Sequence, residues 1–260
     1  MDFSIVQDSR KGGRPYNQDR VGYWKAPEAL LMALADGMGG YAGGELAAQA
    51  ALDTLADAFR TEAQPRLGDP ASFLSRSIGR IHAAINAGLG ASPRTTLVAC
   101  VVQSGCAYWS HVGDSRLYLI RAGRILARTK DHSVVQGLID AGRMREEAIP
   151  AHPQRSELLR CLGGTAAPKF EPVASAELAK DDIVLLCSDG LWGPLTPQRL
   201  LGGWIGRAPE RALPELISLA EERAGPDCDN VSAVALQWHS GRAQPSSGDS
   251  GGLSSLPATR

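Results

Sequence analysis

Two apolar runs in this chain end in the same dipeptide. "LLMALADGMGG" (Leu30 to Gly40) and "DDIVLLCSDGLWG" (Asp181 to Gly193) each carry a strand-length hydrophobic stretch straight into Asp-Gly, at Asp36 and Asp189. Asp114 follows another such run in "YWSHVGDSRLYLI", and Asp229 opens the last one in "CDNVSAVALQW". A fold that buries these runs brings their carboxylates to strand ends, where unpaired buried charge is too costly to keep. Acidic groups converging from several strand ends are most simply balanced by a hard divalent cation. The pattern predicts metal-assisted hydrolysis.

At 260 residues and 43% apolar content the chain can bury a substantial core. A net charge of −1 leaves no footprint for nucleic acid or an anionic membrane. Residues Met1 to Arg10 include Asp2 and lack the apolar core of a secretory signal, and the longest apolar run, Ala29 to Ala35, is too short to span a bilayer. A cytoplasmic protein is therefore expected. The five cysteines never form a Cys-x-x-Cys arrangement, and Cys100, Cys161 and Cys187 lie among apolar neighbours. They read as free thiols in a reducing compartment, which points away from zinc and redox chemistry.

Ala/Leu-rich stretches at helical spacing run from Gly43 and from Ala71. The segments "TTLVACVVQ", "CAYWSHVG", "SRLYLIR" and "RILART", separated by turns, then predict a meander and hence antiparallel sheet. Between Asp131 and Thr165 the chain is charged and interrupted by Pro150 and Pro153, with one predicted helix, Val134 to Ala141. This reads as a flap-like excursion from the sheet. Strands near Phe170 to Ala176 and Asp182 to Cys187, helices over Pro197 to Gly206 and Pro209 to Arg223, and a strand over Val231 to Trp238 complete the expected domain, 1–239. The Ser/Gly/Pro-rich stretch 240–260 is expected to be a disordered tail.

An Asp at a strand end followed by Gly can aim its carboxylate at an ion while the small residue lets a backbone carbonyl approach too. Asp36, Asp189 and Asp229 are the candidate ligands for one or two Mg²⁺ or Mn²⁺ ions, whose waters are the expected reagent. Arg14 in "GGRPYNQDR" is the candidate for gripping phosphate oxygens. "GMGGYA" (Gly37 to Ala42) also fits a dinucleotide fingerprint, but Asp36 would repel a pyrophosphate and the chain that follows predicts hairpins rather than βαβ units. In "GDSR", Asp114 reads equally as an ion ligand or as a turn carboxylate capping backbone amides.

The segments "RPYNQD", "ADGMGG", "TTLVAC", "HVGDSRLY", "DHS", "RCLGG", "SDGLW" and "DNVS" occur in an order that resembles the motif series of the PP2C (PPM) family of metal-dependent protein Ser/Thr phosphatases, in its bacterial form. The resemblance covers nearly everything before the tail. It implies an α+β fold of four layers, α/β/β/α, in which an antiparallel β-sandwich is flanked by helices and a binuclear centre sits at one end. It also implies that Asp36 bridges both metals, that the Gly37 carbonyl binds one, and that Asp189 and Asp229 bind the other. Asp19 would orient a water, Arg14 would bind substrate phosphate, and Asp114 would belong to a third, weaker site. The implied activity is hydrolysis of phosphoserine and phosphothreonine in proteins by metal-activated water, without a phosphoenzyme. Implied partners are phosphorylated proteins, a Ser/Thr kinase whose action the phosphatase opposes, and forkhead-associated targets; the chain is expected to be a monomer.

Three positions depart from the family pattern. Gln18 stands where many members have Glu, which predicts a weaker second metal. Met38 stands where eukaryotic members have a His, so the leaving group must find its proton elsewhere, with His152 in the flap as a candidate. Gly193 stands where a further Asp often supports the third metal, leaving Asp114 short of a partner. These departures motivate one alternative, a phosphoprotein-binding pseudophosphatase with a regulatory role. His111 is expected to be a hydrogen-bonded residue of the core or rim, His132 to brace the flap hinge, and Arg160 to pin the flap's return.

Overall fold

The computed structural model describes residues 1–38, 43–90 and 92–240. The expected tail lies outside the described residues apart from Ser240, as do residues 39–42 of the loop after Asp36. The strands are β1 (Phe3–Arg10), β2 (Asp19–Lys25), β3 (Ala29–Asp36), β4 (Leu97–Gln103), β5 (Cys106–Val112), β6 (Arg116–Arg121), β7 (Arg124–Arg128), β8 (Ala174–Glu177), β9 (Ile183–Cys187) and β10 (Val231–Trp238). The helices are α1 (Gly44–Glu62), α2 (Pro70–Leu89), α3 (Val134–Asp140), α4 (Asp189–Trp192), α5 (Pro197–Gly202) and α6 (Pro209–Ala224). All strand pairs are antiparallel, in two sheets ordered β1-β10-β9-β6-β7 and β2-β3-β4-β5-β8.

Period-two alternation builds the layers. Leu30, Met32 and Leu34 of β3 and Val98, Cys100 and Val102 of β4 meet Val184, Leu186, Val234 and Leu236 of the opposite sheet, forming the slab between the sheets. The intervening residues Ala29, Leu31, Ala33, Leu97, Ala99 and Val101 pack on α1 and α2. On the far side, Leu185, Cys187, Ala233 and Ala235 pack against Leu213, Leu216 and Ile217 of α6. Both faces of the central strands are thus buried, which is why they read as unbroken apolar runs. The result is the expected α/β/β/α arrangement. Asp69 caps α2 by accepting from the amides of Ala71 and Ser72, with Pro70 opening the first turn.

The meander behaves differently from a simple hairpin series. β4 and β5 pair in one sheet and β6 and β7 in the other, so the chain crosses between sheets at Gly113-Asp114-Ser115. Gly113 has φ +103°, and a Cβ there would lie 2.6 Å from Thr96 Cγ2, so only glycine makes this crossing without displacing Thr96. Strands β1 and β2, short helix α4 and the 3₁₀ turn Glu146–Ala151 escape the sequence reading. β8 lies later than expected, at Ala174–Glu177 on a largely exposed edge, where alternation is weakest. α5 stops at Gly202 rather than Gly206, because Gly202-Gly203 is a poor continuation and Gly203 packs directly on Leu216.

Residues 129–173 leave the sheets between β7 and β8. Isolated bridges Ser133–Leu158 and Thr95–Leu162 tie this flap to itself and to the sandwich. No helix among the described residues is long and apolar enough to cross a membrane.

Candidate metal centre

One end of the sandwich opens into a cavity of about 400 Å³ lined by Asp36, Asp114, Asp189, Asp229, Gly37, Arg14 and Gln18, with Pro15, Tyr16, Met38 and Leu158 among its walls. Each acid arrives by a different local device. Asp36 closes β3, where its amide donates to Thr96 Oγ1 (3.0 Å) and its carbonyl accepts from Thr96 N (2.9 Å) and Thr95 Oγ1 (2.9 Å). Asp114 sits on the crossing between sheets, its carbonyl accepting from Trp192 Nε1 at 3.0 Å. Asp189 opens α4 directly after β9. Asp229 precedes β10, and one of its carboxylate oxygens accepts from the amide of the next residue, Asn230 (2.8 Å). Gly37 allows the packing behind Asp36, since a Cβ there would meet the Gly44 backbone at 2.4 Å.

Asp19 does not line the cavity but lies buried behind it, paired in register with Asp36 across β2 and β3. Its Oδ2 accepts from Ser188 Oγ at 2.8 Å, while Oδ1 is buried without a hydrogen-bond partner. Arg14 donates from Nη2 to Asp229 Oδ2 at 2.7 Å, so the residue expected to grip phosphate is tied to an expected metal ligand. Asn230 clamps the Arg14 loop: its side chain accepts from Gln18 N (2.8 Å) and donates to the carbonyls of Lys11 (2.9 Å) and Tyr16 (3.0 Å). Gln18 directs Nε2 to Glu45 Oε2 at 3.2 Å.

The electrostatics are those of acids held together. Burial, then Asp19, Asp189, Asp114 and Asp229, push the Asp36 carboxyl well above the usual range. Asp114 is raised well above it by burial, Asp189 and Asp131, against the pull of Arg116. Burial lifts Asp19 to about 7 despite hydrogen bonds from Ser232 and Ser188, and burial with Asp229 lifts Asp189 to about 6. Such a group cannot all be ionised at neutral pH unless positive charge is brought in. With the partnerless Asp19 oxygen behind them, these oxygen donors fit a hard divalent cation. Among the described residues no three acidic, His or Cys side chains stand close enough together to hold an ion by themselves.

A buried linkage joins this floor to the flap. Arg116 pairs bidentately with Asp131 (2.8 and 2.7 Å) and stacks over Trp192, whose indole holds the Asp114 carbonyl. His132 accepts from the Gly113 amide (3.1 Å) and stacks on His111, which bonds the Lys130 carbonyl; Arg160 reaches His132 and Glu171. His111 is thus a hydrogen-bonded buried residue, and His132 and Arg160 brace the flap. His152 is not among the cavity residues; its Nδ1 accepts from the Gln154 amide in a local turn. Sequence reasoning missed the roles of Thr96, Ser188, Asn230 and Arg116. All four lie inside the quoted motifs, but what each side chain touches depends on contacts made far along the chain.

Residues 7–209 match the family model described as Protein phosphatase 2C. The serine/threonine protein phosphatase PstP of Mycobacterium tuberculosis is 38% identical over 179 residues, covering 66% of this chain and 34% of PstP, so the match spans about a third of that relative's length. The crystal structure of Stp1 from Staphylococcus aureus superposes with a TM-score of 0.85 at 25% identity, covering 92% of this chain and 96% of Stp1. The PstP catalytic domain in complex with two manganese ions superposes with a TM-score of 0.74 at 31% identity, covering 90% of this chain and 97% of that one. The acidic floor at the end of an antiparallel sandwich, the ordered motifs and these likenesses agree: the chain belongs to the bacterial branch of the protein phosphatase 2C family.

Proposed function

We propose that this protein is a serine/threonine protein phosphatase that hydrolyses phosphoserine and phosphothreonine in proteins at a binuclear Mn²⁺ or Mg²⁺ centre. The observation that carries the reading is the convergence of Asp36, Asp114, Asp189 and Asp229 on one cavity with Arg14 at its edge. Asp36, the Gly37 carbonyl, Asp189 and Asp229 would hold the two ions, and Asp114 a third and weaker one. When bound, the ions supply an activated water and offset charge on the phosphoryl group. Asp19, held behind Asp36 by Ser188, would orient that water from beneath the floor. Arg14 commits one nitrogen to Asp229, which leaves its other guanidinium donors for phosphate oxygens. No histidine lines the cavity among the described residues; the leaving alkoxide would take its proton from water or from another group of the site. The names of the relatives support protein substrates, and we extend the reading to an opposing Ser/Thr kinase and to forkhead-associated targets.

The test is hydrolysis of p-nitrophenyl phosphate and a phosphothreonine peptide with Mn²⁺, Mg²⁺ or EDTA, beside Asp36→Asn. Metal-dependent turnover lost in EDTA and in the variant is the expected result. A folded protein that binds Mn²⁺ and phosphopeptide without turnover would instead establish the pseudophosphatase reading, for which Gln18, Met38 and Gly193 are the grounds.

A further inference from the structure

The cavity has two kinds of wall. Its floor is carboxylate, yet its mouth carries Pro15, Tyr16, Met38 and Leu158. Tyr16 is a large aromatic left 61% exposed beside an acidic floor, sharing the cavity wall with Pro15, Met38 and Leu158. Both sides of the mouth are anchored through their backbones. The Tyr16 carbonyl accepts from Asn230 Nδ2 at 3.0 Å, on the loop that Asn230 also holds at Lys11 and Gln18. In the same cavity wall, Leu158 bridges Ser133, with Val134 N donating to the Glu157 carbonyl (2.9 Å) and Leu159 N to the His132 carbonyl (2.8 Å). Main chain held this firmly adds little ordering cost when a ligand settles against it.

From this we propose that Tyr16 and Leu158 form a specificity jaw that takes an apolar side chain immediately flanking the phosphorylated residue of the substrate protein. The inference rests on the phosphatase reading. A phosphorylated side chain that reaches the floor leaves its own backbone at the mouth, so its neighbours lie against Pro15, Tyr16 and Leu158. The walls choose between classes of neighbour: the aromatic and aliphatic side chains gain by covering an apolar one and gain nothing from a residue without apolar surface. Tyr16 and Leu158 are specificity residues and take no part in the chemical step.

The experiment compares three phosphothreonine peptides that differ only in the residues on either side of the phosphothreonine, Leu, Gly or Asp, with p-nitrophenyl phosphate alongside. The readout is the ratio of kcat/KM between peptides, so any general loss of activity cancels. The Leu-flanked peptide is expected to exceed the Gly-flanked one about tenfold, with the Asp-flanked peptide, which offers the walls no apolar surface, close to the Gly-flanked one. In Tyr16→Ala the Leu/Gly ratio should fall to about two, and in Tyr16→Phe, which keeps the ring, it should stay near the parent value. Equal efficiency on the Leu and Gly peptides, or a ratio unmoved by Tyr16→Ala, would overturn the jaw while leaving the phosphatase intact. Hydrolysis of neither peptide nor p-nitrophenyl phosphate would overturn the phosphatase reading, and the jaw with it.

Discussion

Asp19 and Asp36 are directly opposed partners across the antiparallel pair β2 and β3. Burial raises both carboxyls, and the like charge of Asp19 raises Asp36 further, as expected of like charges opposed in a sheet. A hard cation beside Asp36 turns the liability into a binding site. Replacing Asp36 by Asn should therefore have opposite effects on two measurements. Mn²⁺ affinity and turnover should fall by more than about 100-fold. Thermal stability in EDTA should rise by about 2–4 °C, the equivalent of about 1 kcal/mol in a chain of this size. Calorimetric Mn²⁺ titration and melting in EDTA check both, and a lower melting point in EDTA would contradict the account.

Thr96 holds Asp36 by the amide and shares a 2.7 Å hydroxyl contact with Ser115, the residue after Asp114. Thr96→Val keeps the shape but leaves the Asp36 amide and the Ser115 hydroxyl without this partner. A loss of about 1–3 kcal/mol follows, together with a weaker Mn²⁺ affinity measured directly. Thr96→Ser, which restores the oxygen, should recover most of the Mn²⁺ affinity.

The Arg116–Asp131 pair is almost wholly buried. Asp131→Asn should cost about 3 kcal/mol by denaturant titration, because a buried guanidinium loses its bidentate partner and keeps only the half-exposed Glu146 at 3.6 Å. The double replacement Arg116→Met with Asp131→Leu should be less damaging than either single change. If the single changes were neutral, the linkage between flap and floor would carry no energy.

His132 carries a pH signature. Burial, then the charges of His111 and Arg160, lower it to about 4, with Glu171 opposing, and burial lowers its stacking partner His111. Asp131 and Glu171 also face His111 and pull the other way. An unfolded histidine titrates near 6.5, so as pH falls from about 6.5 to 4 the unfolded chain takes up a proton that the native ring refuses. The stability from this group is complete above about 6.5 and is lost as pH falls towards 4, by up to about 3 kcal/mol. His132→Asn should flatten the dependence of the urea midpoint on pH between 7 and 5; an unchanged slope would refute it.

Much of the fold was readable because the central strands are buried on both faces. β3, β4, β9 and β10 appear as apolar runs, and the Asp residues at their ends mark one edge of the sandwich. β1 and β2 were not readable, since their half-buried residues mix charge with aliphatics and gain strand character from pairing with β10 and β3. The meander was predicted as one antiparallel series, yet nothing local to Gly113 announces a change of sheet. That crossing is imposed by Thr96, seventeen positions earlier, against which only a glycine fits.

The sequence by itself determined the family, the layer type and the acids of the floor, because carboxylates at the ends of apolar runs have so few stable destinations. Tertiary structure alone decided which groups hold those acids. Asp19 lies behind Asp36 through strand register, Arg14 is tied to Asp229 across more than two hundred residues, and Asn230 clamps the loop that presents Tyr16. Hydrogen bonds and ion pairs act over about 3 Å of space and are indifferent to distance along the chain, so they follow from the fold and not from spacing.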